Sequence, residues 1–350
     1  MAKYVEKENI FLRIARYLIP WKGDSVLEVI RKIIFLGASA TLVVSLVTLI
    51  SSATHRISDN QNNTQISDLY HEGIQPSSST LQIDTQKQEQ LREENPEVQE
   101  KFLPLMEIND DIVGWISMGD PEEPFIDYPV VQCEDNDYYL NHDFQKEKSD
   151  SGSIFADYRT PLKDGDTPSN IILYGHNMMS GDYFAKVTRY HNYSPGNTDG
   201  IAFYKKYPTF TFDTLYKQST YKIFAGMLVN TQKSAGEVFY YLKGRNFKTK
   251  SDFDEYCAKI LDRSTFYTDV DLKYGDQLMT LSTCIFDYKG VDLRWVLFAR
   301  EVREGEDPSV DVSKAYENPD PLFFDYHYQI YGGEWGGRKW PAEMIYGYTY

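Results

Sequence analysis

The chain has 350 residues, of which 15% are aromatic and 25% charged, and its formal net charge is −16. That length supports one sizeable core with appendages, and the acidic balance excludes the basic footprint that nucleic-acid binding needs. Three cysteines at wide spacing, Cys133, Cys257 and Cys284, make neither a disulfide framework nor a metal-ligand pattern. The histidines (His55, His71, His142, His176, His191, His327) likewise lack neighbours at metal-ligand spacing, so neither a metal nor a cofactor is expected.

In chain order, residues 1–32 read as a basic, cytoplasmic segment. Ile10, Phe11, Ile14, Tyr17 and Leu18 recur at helical spacing with Arg13 and Arg16 between them. Both an interfacial helix and a simple orienting flank fit that pattern. Residues 33–54 run 22 positions without a charge, long enough to span a bilayer as a helix. Seven Lys or Arg precede the run and only Arg56 follows closely, which places the N-terminus in the cytoplasm and the rest outside. The rival reading, a cleaved signal peptide, meets an n-region of 32 residues, too long for that role. The expectation is a single-pass signal-anchor. Residues 55–98 are polar and read as an extracellular stalk with nothing to bury, its end from Gln86 onward helical and docked on the domain.

The body is expected over 99–303, as short strands separated by turn signals: Ile112–Ile116, Tyr128–Gln132, Gly152–Phe155, Asn170–Tyr174, Thr209–Phe212, Tyr221–Val229, Asp276–Cys284 and Arg294–Glu301. Eight such strands predict a mainly β fold, a closed barrel rather than alternating β-α units. Helical insertions are predicted at Tyr183–His191 and Thr249–Arg263, the latter with Phe253, Tyr256, Cys257 and Ile260 on one face. The tail, 304–350, has 11 aromatics between Tyr316 and Tyr350. Folding back over the body, binding a partner and contacting polysaccharide all fit it.

Three residues carry the candidate chemistry. Cys284 closes the strand Leu278–Cys284, and a thiolate is intrinsically nucleophilic. Alternation puts Thr280, Ser282 and Cys284 on one face and Met279 and Leu281 on the other, giving an apolar side to the core and a polar side to a groove. Arg294 opens the next strand, and an antiparallel return sets it near Cys284, where a fixed cation stabilises an oxyanion. His176 follows the strand Ile171–Tyr174 and can protonate a leaving amine. Cys257 and Cys133 read as structural, and the other histidines as hydrogen-bonding surface residues.

The run Thr280-Leu281-Ser282-Thr283-Cys284 followed by Arg294 resembles the signature of sortases, membrane-anchored transpeptidases of Gram-positive bacteria. Asp127-Tyr128-Pro129-Val130-Val131-Gln132, Asp135 to Phe144, Gly152 to Asp157, and Tyr174-Gly175-His176-Asn177-Met178 resemble the class B branch, as does the long helical insertion before the cysteine strand. The similarity covers about residues 100–303.

The resemblance implies an eight-stranded sortase-type barrel with N-terminal helices. It implies Cys284 as nucleophile, His176 as general acid/base, and Arg294 as oxyanion and substrate anchor. Tyr174 and Ser282 match groove-lining positions, and the Ile285 backbone N–H matches an oxyanion donor. The implied reaction cleaves a C-terminal sorting motif of secreted surface proteins through a thioacyl enzyme. It then joins them to an amine of a cell-wall precursor, or to a pilin lysine if the enzyme polymerises pilins. A plain cysteine peptidase, and a non-catalytic surface-displayed binding protein on a sortase barrel, are the alternatives. The aromatic tail is no standard part of the family.

Overall fold

The computed structural model describes residues 10–73, 83–160, 162–163, 168–191 and 199–348. The chain divides into two units, Met1–Gln61 and Asn62–Tyr350, and helix α2 (Val26–Glu72) contributes to both. In the first unit α1 (Ile10–Leu18) precedes a turn. The Lys32 ammonium donates to the Arg16 carbonyl at 2.6 Å and to Asp24 Oδ2 at 2.7 Å, tying the end of α1 to the first turns of α2. The stretch Val26–Ser51 is long and apolar enough to cross a membrane, and its apolar window is unburied.

In the second unit the polar reading of 55–98 fails in part. Ile66, Leu69 and Tyr70 of α2 are buried in a cluster with Phe102, Leu105, Trp115 and Val131. Tyr70 stacks on Trp115 at 4.1 Å between centroids. A helix needs only one apolar stripe to dock, and three apolar residues spread through a polar run supply it. Helix α3 (Thr85–Glu94) starts at Asp84, whose carboxylate accepts from the Gln86 N–H, and α4 (Leu103–Ile108) follows.

The body is the expected closed barrel. Its strands are β1 (Ile112–Asp120), β2 (Glu123–Val131), β3 (Ile154–Ala156), β4 (Asn170–Tyr174), β5 (Thr209–Thr214) and β6 (Gln218–Asn230). A short β7 (Phe266–Tyr267) lies outside it, and β8 (Leu278–Ile285) and β9 (Leu293–Glu301) complete it. The order around the barrel is β1-β2-β3-β4-β8-β9-β6-β5, closed by β5 on β1. The β2–β3 and β4–β8 contacts are parallel and the rest antiparallel.

Strand alternation sorts the side chains. Met279, Leu281 and Ile285 of β8, with Leu293, Trp295, Leu297 and Ala299 of β9, fill the interior. Leu278, Val296 and Phe298 face outward and are covered by α6 (Lys250–Arg263). That helix begins at Thr249, whose hydroxyl accepts from the Asp252 N–H at 3.1 Å. Phe253, Cys257, Ile260 and Leu261 recur along one face and are buried. Burial of each large apolar side chain there contributes about 1.5–3 kcal/mol. A short α5 (Gly200–Lys206) precedes β5.

The aromatic tail folds back over the body. Tyr316–Glu317 forms β10, paired antiparallel with β7. Helix α7 (Asp325–Tyr331) follows. Phe324 joins the barrel core, while Trp340, Met344 and Ile345 pack into the cluster under α6. Asp262 of α6 receives both the Arg338 guanidinium and the Trp340 N–H, each at 2.8 Å.

Candidate active site

The register of three strands builds the site. In β8–β9, Cys284 stands directly opposite Arg294. In the parallel β4–β8 pair, Tyr174 is level with Ser282, and the ladder continues as the Gly175 N–H donates to the Ser282 carbonyl at 3.3 Å. His176 lies two residues past Tyr174, between Gly175, which bonds to Ser282, and Asn177, which bonds to Cys284. Neighbouring strands lie about 4.8 Å apart, so the thiol has the imidazole strand on one side and the guanidinium strand on the other. The Thr283 hydroxyl donates to the Gly175 carbonyl at 2.8 Å, and the Asn177 amide donates to the Cys284 carbonyl at 2.9 Å, locking the two chains together here. Gly175 has a steric reason to be glycine, since a Cβ there would meet the Phe184 ring at 2.8 Å.

The three side chains are half-exposed. His176 Nε2 lies 2.8 Å from the Leu140 carbonyl oxygen. A carbonyl only accepts, so Nε2 carries a proton and Nδ1 is the nitrogen left to exchange one. Arg294 donates to Asp292 Oδ1 at 2.5 Å. Burial works against its charge, but the Asp292 carboxylate and then the Cys284 sulfur hold its pKa above the ordinary arginine value. Asp292 is in turn held by the Thr231 hydroxyl at 2.8 Å. Burial opposes the Asp292 charge, yet the bonds from Arg294 and Thr231 bring its carboxyl below the usual range.

The remaining expected residues sit less openly. Ser282 is 2% exposed, and its hydroxyl pairs with Tyr241 Oη at 3.0 Å. The polar face of β8 is therefore roofed rather than open, because the segment after β6 lays Tyr241 across it. Thr280 is also buried, on Asn170. Tyr174 is half-buried and donates to Asp157 Oδ2 at 2.8 Å. Ile285 turns its side chain into the barrel core, leaving its backbone as the part adjacent to Cys284. Cys257 is fully buried, and Cys133 is half-buried beside Asp135. His191, expected at the surface, is wholly buried on Asp287 at 2.7 Å, with its ring stacked on Trp295. His327 is half-buried and hydrogen-bonded, its Nδ1 meeting Tyr288 Oη at 2.6 Å.

Tyr241, Asp292 and Asn177 escaped the sequence reading as site residues. Asp292 lies two residues before Arg294, and that spacing is a usable signal. Tyr241 sits in a stretch without strong periodicity, and nothing local marks it. Burial raises the Tyr241 hydroxyl pKa against the opposing pull of the Ser282 hydrogen bond and the Arg294 charge, so it stays a neutral hydrogen-bonding group. Among the described residues, no three His, Cys, Asp or Glu side chains are grouped to hold a metal ion.

No protein-family model matches the chain. Two curated proteins are similar to it. Sortase B of Listeria monocytogenes is 33% identical over 252 residues, covering 71% of this chain and 90% of its own length. Sortase B of Staphylococcus aureus is 31% identical over 206 residues, covering 59% of this chain and 76% of its own. Among solved structures, a Staphylococcus aureus sortase B–substrate complex superposes with a TM-score of 0.54 at 27% identity, over 71% of this chain and 99% of that one. A Bacillus anthracis protein similar to sortase B gives 0.53 at 28% identity, over 71% and 98%. Sequence similarity along most of a relative's length and a shared barrel together show that this chain belongs to the class B sortases, which are cysteine transpeptidases.

Proposed function

We propose that the chain is a membrane-anchored transpeptidase in which Cys284, His176 and Arg294 perform acyl transfer from a sorting motif to an amine. The observation that carries this is the register, with Cys284 opposite Arg294 and level with the continuation of β4 that bears His176. The Cys284 thiolate attacks the scissile carbonyl carbon, and the electron pair of the C=O moves onto oxygen. Arg294 and the Ile285 backbone N–H stabilise that oxyanion. As the C–N bond breaks, the leaving nitrogen takes a proton from His176 Nδ1, and a thioester to Cys284 remains. An incoming amine loses its proton to His176, attacks the thioester and expels the thiolate. One amide is broken and one formed, with no oxidant or cofactor consumed.

Tyr174 and Tyr241 line the acyl side of this reaction, with Ser282 beneath Tyr241. Because Ser282 is covered, substrate meets the Tyr241 hydroxyl. The Staphylococcus aureus relative is described as a complex with a substrate, which supports a substrate-binding role for this barrel. The charge bias around the apolar helix supports an N-terminus in the cytoplasm and a catalytic unit outside. The donors are then surface proteins bearing a sorting signal and the acceptor a cell-wall amine, with a pilin lysine as the alternative.

The test incubates the full chain in detergent with a panel of fluorogenic sorting peptides and small amines, comparing wild type with Cys284→Ala. Amine-ligated product that disappears in Cys284→Ala supports the reading. Hydrolysis alone points to a peptidase, and equal turnover by the variant removes Cys284 from the mechanism.

A further inference from the structure

The loop between the nucleophile strand and the arginine strand, residues 286–292, is exposed at Phe286 (81%), yet Tyr288 within it is 8% exposed. The tail is what covers it. Tyr288 Oη lies 2.6 Å from His327 Nδ1 of α7, and its ring meets Phe324 and Tyr331 edge-on at 5.2 and 5.9 Å. The His327 ring is itself stacked on Phe323 at 3.9 Å. Burial holds the His327 imidazole below its ordinary pKa and pushes the Tyr288 hydroxyl up, so the neutral pair has the Tyr288 O–H donating to Nδ1.

From Tyr288 the contacts run to the site. Its carbonyl accepts from the Val291 N–H at 3.2 Å. The next residue, Asp292, holds the Arg294 guanidinium. On the loop's other side, Asp287 is held by the buried His191. Loops are ordinarily the mobile parts of a fold. This one is pinned at two consecutive residues by imidazoles from two separate elements.

We propose that the tail helix α7 acts through His327 and Tyr288 as a positioning clamp that fixes the loop joining Cys284 to Arg294, and hence the placement of the Asp292–Arg294 pair beside the thiol. His327 and Tyr288 touch no substrate in this account; they are positioning residues. The inference rests on the reading of Cys284 and Arg294 as the reacting pair. It gives the tail a role within the transpeptidation site instead of on a separate partner surface.

The experiment uses the full chain in detergent with His327→Phe, which keeps ring packing but loses the acceptor, Tyr288→Phe, and His327→Asn, whose amide oxygen restores an acceptor. The readouts are transpeptidation kcat and KM, and the iodoacetamide alkylation rate of Cys284 resolved from Cys133 by peptide mass mapping. Loss of the clamp should lower kcat about tenfold, a modest share of what an ångström of misplacement costs, with KM within about threefold. The alkylation rate should change in parallel. His327→Asn should recover most of the loss, and the Tyr288→Phe/His327→Phe double variant should be no worse than either single one. Unchanged kcat and alkylation in both single variants overturns the clamp, as does a fall in thermal stability without any change in rate. Alkylation reads the thiol without any sorting peptide. A failed clamp therefore remains distinguishable from a failed transpeptidase assignment, which would show as amine transfer independent of Cys284.

Discussion

Replacing Asp262 by alanine tests whether the aromatic tail is an integral part of the fold. Asp262 is 6% exposed and accepts from Arg338 Nε and Nη2 and from Trp340 Nε1, all at 2.8 Å. The Arg338 side chain is 26% exposed, so water can recover part of its loss, and about 1.5–2 kcal/mol is a fair charge for that pair. Trp340 is 2% exposed, so its N–H is left buried without a partner, at about 1–3 kcal/mol. Together these give about 2.5–5 kcal/mol. For a unit of this size that lowers Tm by about 4–8 °C. The assay is thermal unfolding of the full chain in detergent, followed by tryptophan fluorescence, with Trp340→Phe as the partner variant. Trp340→Phe removes the N–H and also shrinks the buried ring, so it should cost about 2–3 kcal/mol. Combined with Asp262→Ala it should be less than additive, because the same bond is removed twice. A Tm for Asp262→Ala within about 2 °C of wild type would refute the reasoning and make the tail a loosely held appendage.

Other outcomes follow from the same contacts. Tyr241→Phe removes the hydroxyl on Ser282 and should lower kcat/KM about tenfold, equivalent to about 1.4 kcal/mol, measured with sorting peptides. Arg294→Lys should lose activity nearly as fully as Arg294→Ala, a fall in kcat of about 10²–10³, because an ammonium cannot reproduce the planar fork that Asp292 orients. A chain beginning at residue 85 lacks Ile66, Leu69 and Tyr70, which are buried against the body. It should be less stable than one beginning at Asn62 by about 3 kcal/mol or more, and unfold at a lower temperature. Glu306 is held far below its ordinary value of 4.5, first by Arg300, with Lys222 assisting against burial. A depressed folded pKa contributes stability that is present above the unfolded value and lost as pH falls below it. Tm should therefore decline from about pH 4.5 downward, and Glu306→Gln should flatten that decline while lowering Tm at neutral pH.

The barrel was legible because its strands advertise themselves. Asn170–Tyr174 coincides with the observed strand, and the alternation in Leu278–Ile285 correctly sends Met279 and Leu281 inward. The placement of Cys284 opposite Arg294 follows from two strands joined by a short loop, a local relation that sequence spacing can carry. The contribution of His176 depends on the parallel pairing of β4 with β8, strands about a hundred residues apart, and no local pattern specifies that pairing. The docking of 62–72 was missed because three apolar residues among many polar ones look like noise until a groove is present to receive them. Tyr241 and His327 were missed for a related reason. Each works through a contact with a distant residue, Ser282 in one case and Tyr288 in the other. The tail's composition signalled burial without saying against what.

The most direct measurement is intact-protein mass spectrometry of the full chain, quenched with acid during turnover of a sorting peptide in the absence of added amine. The account predicts a mass increase equal to the acyl fragment of the peptide, mapped to Cys284, absent in Cys284→Ala and discharged when an amine is supplied. Turnover without any adduct on Cys284, or an adduct that an amine does not discharge, would contradict it.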